Sequence, residues 1–131
     1  RYQNVRSALA EEGVIRLLMQ DESLFPPEMP VQPEEFSSPL LGRIYGELWQ
    51  RRGHASMAAL AAVLTPEEMN HLTALLQKPE SAANAPQALA DYIRIVQEES
   101  DKRAGRQAAD PLLAATEKYK DKKGTGGKQH G

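Results

Sequence analysis

Four glutamate doublets stand along the chain, Glu11 with Glu12, Glu34 with Glu35, Glu67 with Glu68 and Glu98 with Glu99. Paired carboxylates invite a search for general acid and base work. Sharing a proton requires two carboxyl groups face to face, whereas sequence neighbours on a helix point about 100° apart. Most of these residues are therefore expected as first-turn charges favoured by the helix dipole or as a solvated face. His54, His71 and His130 have no His-x-x-x-His spacing, and the chain has no cysteine. No metal site and no cofactor are expected on those grounds, and His71, beside Met69 and Leu72, reads as a helix-surface or satisfied histidine. The stretch GTGGK near the end evokes a phosphate loop but lacks the strand before it, the helix after it and the spacing. It reads as a flexible tail. No catalytic residue and no small-molecule substrate are expected.

The remaining chemistry is that of a surface. In DPLLAATEKYKDKK, Leu112, Ala115 and Tyr119 fall on one side of a helix with Leu113 beside them, Asp110 serves as N-cap and Pro111 as its first residue. Two readings stay open for the leucines: they meet another molecule, or they fold back on an earlier helix. Arg103, Arg106, Lys118 and Lys120 flank this stripe. Apolar anchors ringed by like charges suit a protein groove, the anchors giving affinity and the charges orientation and on-rate. The chain's 131 residues, 40% hydrophobic and 26% charged, exclude a large multi-domain enzyme. No apolar run approaches the roughly 20 residues needed to span a bilayer. The absence of cysteine fits a reducing cytoplasm, and the start RYQNVRSALAEEG, without signal peptide or methionine, suggests a piece of a longer protein. Residues 1–117 hold 11 basic against 17 acidic side chains, whereas 118–131 hold five lysines against Asp121. The basic end can attract phosphate non-specifically, although no recognition helix or aromatic stacking platform accompanies it.

The elements that must position these residues are helical, since no stretch alternates as a half-buried strand would. In LAEEGVIRLLMQDESLF, Ala10, Val14, Leu17 and Leu18 recur at helical spacing until Pro26 and Pro27 end the pattern. The strongest stripe is Leu41, Ile44, Tyr45, Leu48 and Trp49, with Ser38 as N-cap, Pro39 at the first helical position and Gly53 as the stop. A short helix through SMAALAAVL follows. Thr65 and Glu68 then form a capping box before an inward row of Met69, Leu72 and Leu76. The stretch PESAANAP reads as a linker. Beyond it Leu89, Tyr92, Ile93 and Val96 form another stripe, QEESDKR is wholly polar, and a turn is expected near Gly105. The fold class is thus all-α, with a bundle of about six short helices in residues 1–85, a helical hairpin in 86–123 and a flexible basic tail in 124–131.

The stretches EEGVIRLLMQDESLF, LLGRIYGELWQRRG and ALADYIRIVQEESDKR, in that order before a last helix, resemble the C-terminal helicase-binding domain of bacterial DNA primase. The resemblance covers Ala8 to Lys123 and rests on the order and pattern of helices, with no invariant chemical motif. It implies a bundle with a terminal two-helix hairpin that docks on the N-terminal domains of the hexameric replicative helicase and tethers primer synthesis to fork unwinding. The N-terminal domain of that helicase is similar to the bundle alone, and a small nucleic-acid-binding domain using the basic tail is the other alternative. Two departures stand out: the second hairpin helix, about Asp110 to Lys122, is short for the family, and the tail KKGTGGKQHG has no counterpart. The zinc-binding and polymerase segments of such a primase would lie upstream, so this chain by itself is expected not to make RNA.

Overall fold

The computed structural model describes residues 2–81 and 83–109, with side chains through residue 106. Five α-helices, α1 (Val5–Gln20), α2 (Pro39–Gln50), α3 (Met57–Ala61), α4 (Pro66–Leu76) and α5 (Ala85–Ala109), are joined by two 3-10 turns, Glu22–Leu24 and Pro33–Glu35. Among the described residues there is no strand, and the protein is all-α as its periodicity requires. One compact unit ends at Glu99 and a second begins at Ser100. No helix among the described residues is long and apolar enough to cross a membrane.

Local chemistry explains most helix ends. The Ser38 hydroxyl accepts the Leu41 N–H and Pro39 occupies the first turn of α2. Thr65 and Glu68 close their capping box at the start of α4, and Gly53 takes a left-handed φ of 93° after α2, a conformation nearly free of penalty only for glycine. At α1 the cap is Asn4, whose side chain accepts from the Ser7 N–H. The helix ends at Gln20, short of the prolines, because Asp21 turns extended and its carboxylate takes the Ser23 N–H to start the 3-10 turn. The turn expected near Gly105 is absent: α5 runs through that glycine to Ala109. A single mid-helix glycine costs only about 1 kcal/mol relative to alanine, less than the cost of breaking a helix already formed.

The core gathers around α1 and α2. Ile15, Leu17, Leu18, Leu41, Ile44, Leu48, Leu60, Leu72, Leu75 and Val96 are buried in one cluster. An aromatic row crosses it: Phe36 stacks on Tyr45 at 4.4 Å, Tyr45 meets Trp49 edge-on at 6.3 Å, and Trp49 meets Phe25 at 5.1 Å. Tyr45 donates its hydroxyl to the Val31 carbonyl at 2.7 Å, which makes the loop before α2 part of the core. The second 3-10 turn can lie on α2 because Gly42 has no side chain; a Cβ there would sit 2.6 Å from the Pro33 carbonyl oxygen. The α5 residues Leu89 and Val96 are buried in the same cluster, so the first part of the helix expected to open a hairpin packs with the bundle.

Trp49 is only 3% exposed and meets two rings of the aromatic row, Tyr45 and Phe25. Trp49→Ala should therefore cost about 3 to 5 kcal/mol in chemical denaturation, and native Trp49 should emit well to the blue of its unfolded value. A native spectrum matching that of the unfolded chain would remove Trp49 from the core.

Candidate functional site

Helix α1 is buried on nearly every side, including Ser7, Glu11, Glu12 and Arg16. A helix surrounded by protein cannot leave charges to water, so each must find partners on another element. Glu11 accepts from the Ser7 hydroxyl at 2.6 Å, the Ser37 N–H at 2.6 Å, the Ser37 hydroxyl at 2.7 Å and the Ser38 N–H at 3.2 Å. Its carboxylate thus sits on the entry to α2, where N–H groups and the helix dipole favour negative charge. Glu12 faces the other way, accepting from the Tyr2 hydroxyl at 2.6 Å and from Lys78 Nζ at 2.7 Å. The Tyr2 oxygen also lies 2.6 Å from His71 Nε2, so His71 is the satisfied histidine expected. One turn on, Arg16 donates from Nε to the Leu75 carbonyl and from a terminal nitrogen to Glu80, each at 2.8 Å. Glu80 in turn accepts the Tyr92 hydroxyl at 2.9 Å.

Burial would raise the pKa of Glu12, but hydrogen bonds from Lys78 and Tyr2 and the charges of Lys78 and Arg16 outweigh it and hold the group below its ordinary 4.5. Burial, then the hydrogen bond to Glu12, pushes the Tyr2 hydroxyl up, and burial with the Glu80 bond does the same to Tyr92. Neither tyrosine is poised to ionise near neutrality. A cleft of about 480 Å³ opens beside this network, lined by Leu9, Arg16, Lys78, Glu80, Tyr92 and Ile95 among others. Its charged groups are engaged with one another, an arrangement that fixes helices and offers no activated nucleophile. Among the described residues no three potential ligands gather to hold a metal ion.

The partner-binding residues read from the sequence fall differently. Arg103 is half-buried and Arg106 exposed, both on α5. Leu112, Leu113, Lys118, Tyr119 and Lys120 lie outside the described residues, as do the hairpin's second helix and His130. Glu11, Glu12 and Glu99, expected as dipole or solvated charges, are buried instead, and Glu80, in the stretch read as a plain linker, is a structural anchor. The available signal was the near-continuous apolar surround of α1 together with its i,i+4 spacings, Ser7 to Glu11 and Glu12 to Arg16. Large apolar side chains left exposed among the described residues are Val5, Leu9 and Met57.

Compared with protein-family models, curated proteins and solved structures, the chain matches none.

Because the pKa of Glu12 is depressed on folding, its contribution is complete above its ordinary 4.5 and disappears as pH falls through the lower folded value. Glu12→Gln should lower stability at neutral pH by roughly 2 kcal/mol through the weakened Lys78 and Tyr2 bonds. It should also flatten the acid limb of the melting temperature against pH. An acid limb as steep as that of the unaltered protein would assign acid sensitivity to other carboxylates.

Proposed function

We propose that this chain is the helicase-binding module of a bacterial DNA primase: a non-catalytic interaction domain that docks on the N-terminal domains of the hexameric replicative helicase in the cytoplasm and couples RNA priming to fork unwinding. The observation that carries the reading is α5. Over its 25 residues, Leu89 and Val96 are buried with the bundle, and the helix then continues through a largely polar stretch bearing Arg103 and Arg106; the stripe with Leu112 and Tyr119 follows in the sequence, outside the described residues. An all-helical core combined with an apolar stripe at helical spacing in the sequence that follows supports docking of an amphipathic helix in a partner's groove. Several such modules on one hexamer gain avidity from modest single contacts. The nucleic-acid alternative draws on the five lysines of residues 118–131 alone, with an acidic body behind them that phosphate repels.

Calorimetric titration of the full chain with the purified hexameric helicase, and separately with single-stranded DNA over a salt series, tests this. The helicase should bind and the DNA should not compete. Leu112→Ala or Tyr119→Ala should weaken helicase binding by about 2 kcal/mol, some thirtyfold in Kd, without lowering the melting temperature. Charge reversal at Lys118 and Lys120 should slow association at low salt and fade at higher salt, because exposed charges are screened beyond about 8 to 10 Å. Deletion of 124–131 should change little. Loss of binding on that deletion with Leu112→Ala silent, or binding to DNA alone, would discard the helicase assignment.

A further inference from the structure

Helices α1 and α5 pass one another in opposite senses, and the polar contacts along their seam occur at its two ends. At one end Arg16 of α1 is bonded to Glu80, which receives the Tyr92 hydroxyl of α5. Both charged side chains of that pair are nearly inaccessible, at 7% and 8%. Between the ends, the Tyr92 ring lies flush against Gly13, where a Cβ would fall 2.4 Å from the ring. At the far end Glu99 of α5 accepts from Asn4 Nδ2 at 3.0 Å and from the Arg6 guanidinium at 2.7 Å. The apolar part of α5, Leu89, Ile93 and Val96, repeats every three to four residues, and such a stripe fits a groove almost equally well after a slide of one turn, about 5.4 Å. Apart from Glu80 itself, the connection before it, Pro79 to Asn84, is short and made mostly of small residues, which offer few contacts to choose among registers.

We infer that the Arg16–Glu80–Tyr92 contact and the Asn4–Arg6–Glu99 contact form a register clamp that selects one seating of α5 on α1. Buried ion pairs contribute little net stability against apolar replacements, and registry is their best-attested use. Sliding α5 by one turn would withdraw Tyr92 from Glu80 and Glu99 from Arg6 together, and would drive a side chain other than the Tyr92 ring against Gly13. Arg16, Glu80, Arg6 and Glu99 are thus positioning residues: they set the axial place and rotational phase of the first part of α5, through Glu99, against α1. The clamp does not rest on the helicase-binding reading.

The test uses the full chain, which has no cysteine of its own. Spin labels are placed on Gln50→Cys in α2 and Ala90→Cys in α5, both exposed, and their separation is measured by pulsed dipolar spectroscopy. With the clamp intact, one narrow distance is expected. In a variant carrying Arg16→Met, Glu80→Gln, Arg6→Gln and Glu99→Gln, a second population should emerge, displaced on the scale of one helical turn, about 5.4 Å, with helix content unchanged. A single narrow and unshifted distance would overturn the inference and leave the apolar stripe as sole determinant of register. Arg6→Gln with Glu99→Gln alone, at the end where Arg6 is half exposed, spares the inner pair and is read by the same criterion, so a failure of the fourfold variant to fold leaves the question decidable. No partner enters the measurement, and a failed helicase titration therefore bears on the functional reading without touching this one.

Discussion

The structure depends on one constraint: α1 is enclosed, yet it carries Glu11, Glu12 and Arg16 in its interior-facing turns. Charges taken from water cost several kcal/mol each unless partnered, so the neighbours of α1 are arranged around its charges as well as its apolar face. Glu11 recruits the backbone at Ser37 and Ser38 and so fixes where α2 begins. Glu12 draws in Tyr2 from before α1 and Lys78 from after α4. Arg16 takes the Leu75 carbonyl in the last turn of α4, and then Glu80 beyond it. Three side chains within six positions of one helix thereby specify the placement of three other segments.

Stability and specificity have different origins in this arrangement. The free energy of folding comes from the apolar cluster, in which a fully buried leucine or isoleucine contributes about 1.5 to 3 kcal/mol, and from the aromatic row through Tyr45 and Trp49. Such contacts are tolerant of direction, because side chains of similar volume can repack. The polar network tolerates no such change, since a displaced partner leaves a buried charge without compensation. Surface pairs such as Arg94 with Asp91, both about half exposed, carry neither burden and belong with the many exposed ion pairs worth under about 1 kcal/mol.

What the sequence disclosed followed the range of the interactions involved. Caps at Ser38 and Thr65, the stop at Gly53 and the core position of Trp49 are decided within a few residues, and periodicity or turn chemistry exposes them. For Glu11 and Glu12 the geometric premise was sound, as the two carboxylates do point apart, but exposure did not follow from it: two diverging side chains are both buried when protein lies on both sides. Glu80 was hidden because its partner Arg16 lies far away in sequence and the surrounding PESAANAP has the composition of an ordinary connection. Gly105 misled in the opposite way, a local turn signal overridden by a helix already established upstream. The stripe at Leu112, Leu113 and Tyr119, with Lys118 and Lys120, lies beyond the described residues, so that part of the candidate site rests on pattern alone.

The persistence of α5 through its polar half follows from helix cooperativity. Starting a helix is unfavourable by a factor of about a thousand, whereas each added residue costs little or nothing once the first turns exist. In α5 those first turns are formed against the core by Leu89 and Val96, and Gln97 through Arg106, with scarcely an apolar side chain among them, extend a nucleus that already stands. Lys102 and Arg106 lie four residues apart, and Arg103 and Arg106 three apart, so the three cations occupy one broad face. What the polar residues supply is the spacing of the charges; the helix that carries them is started by the apolar turns upstream.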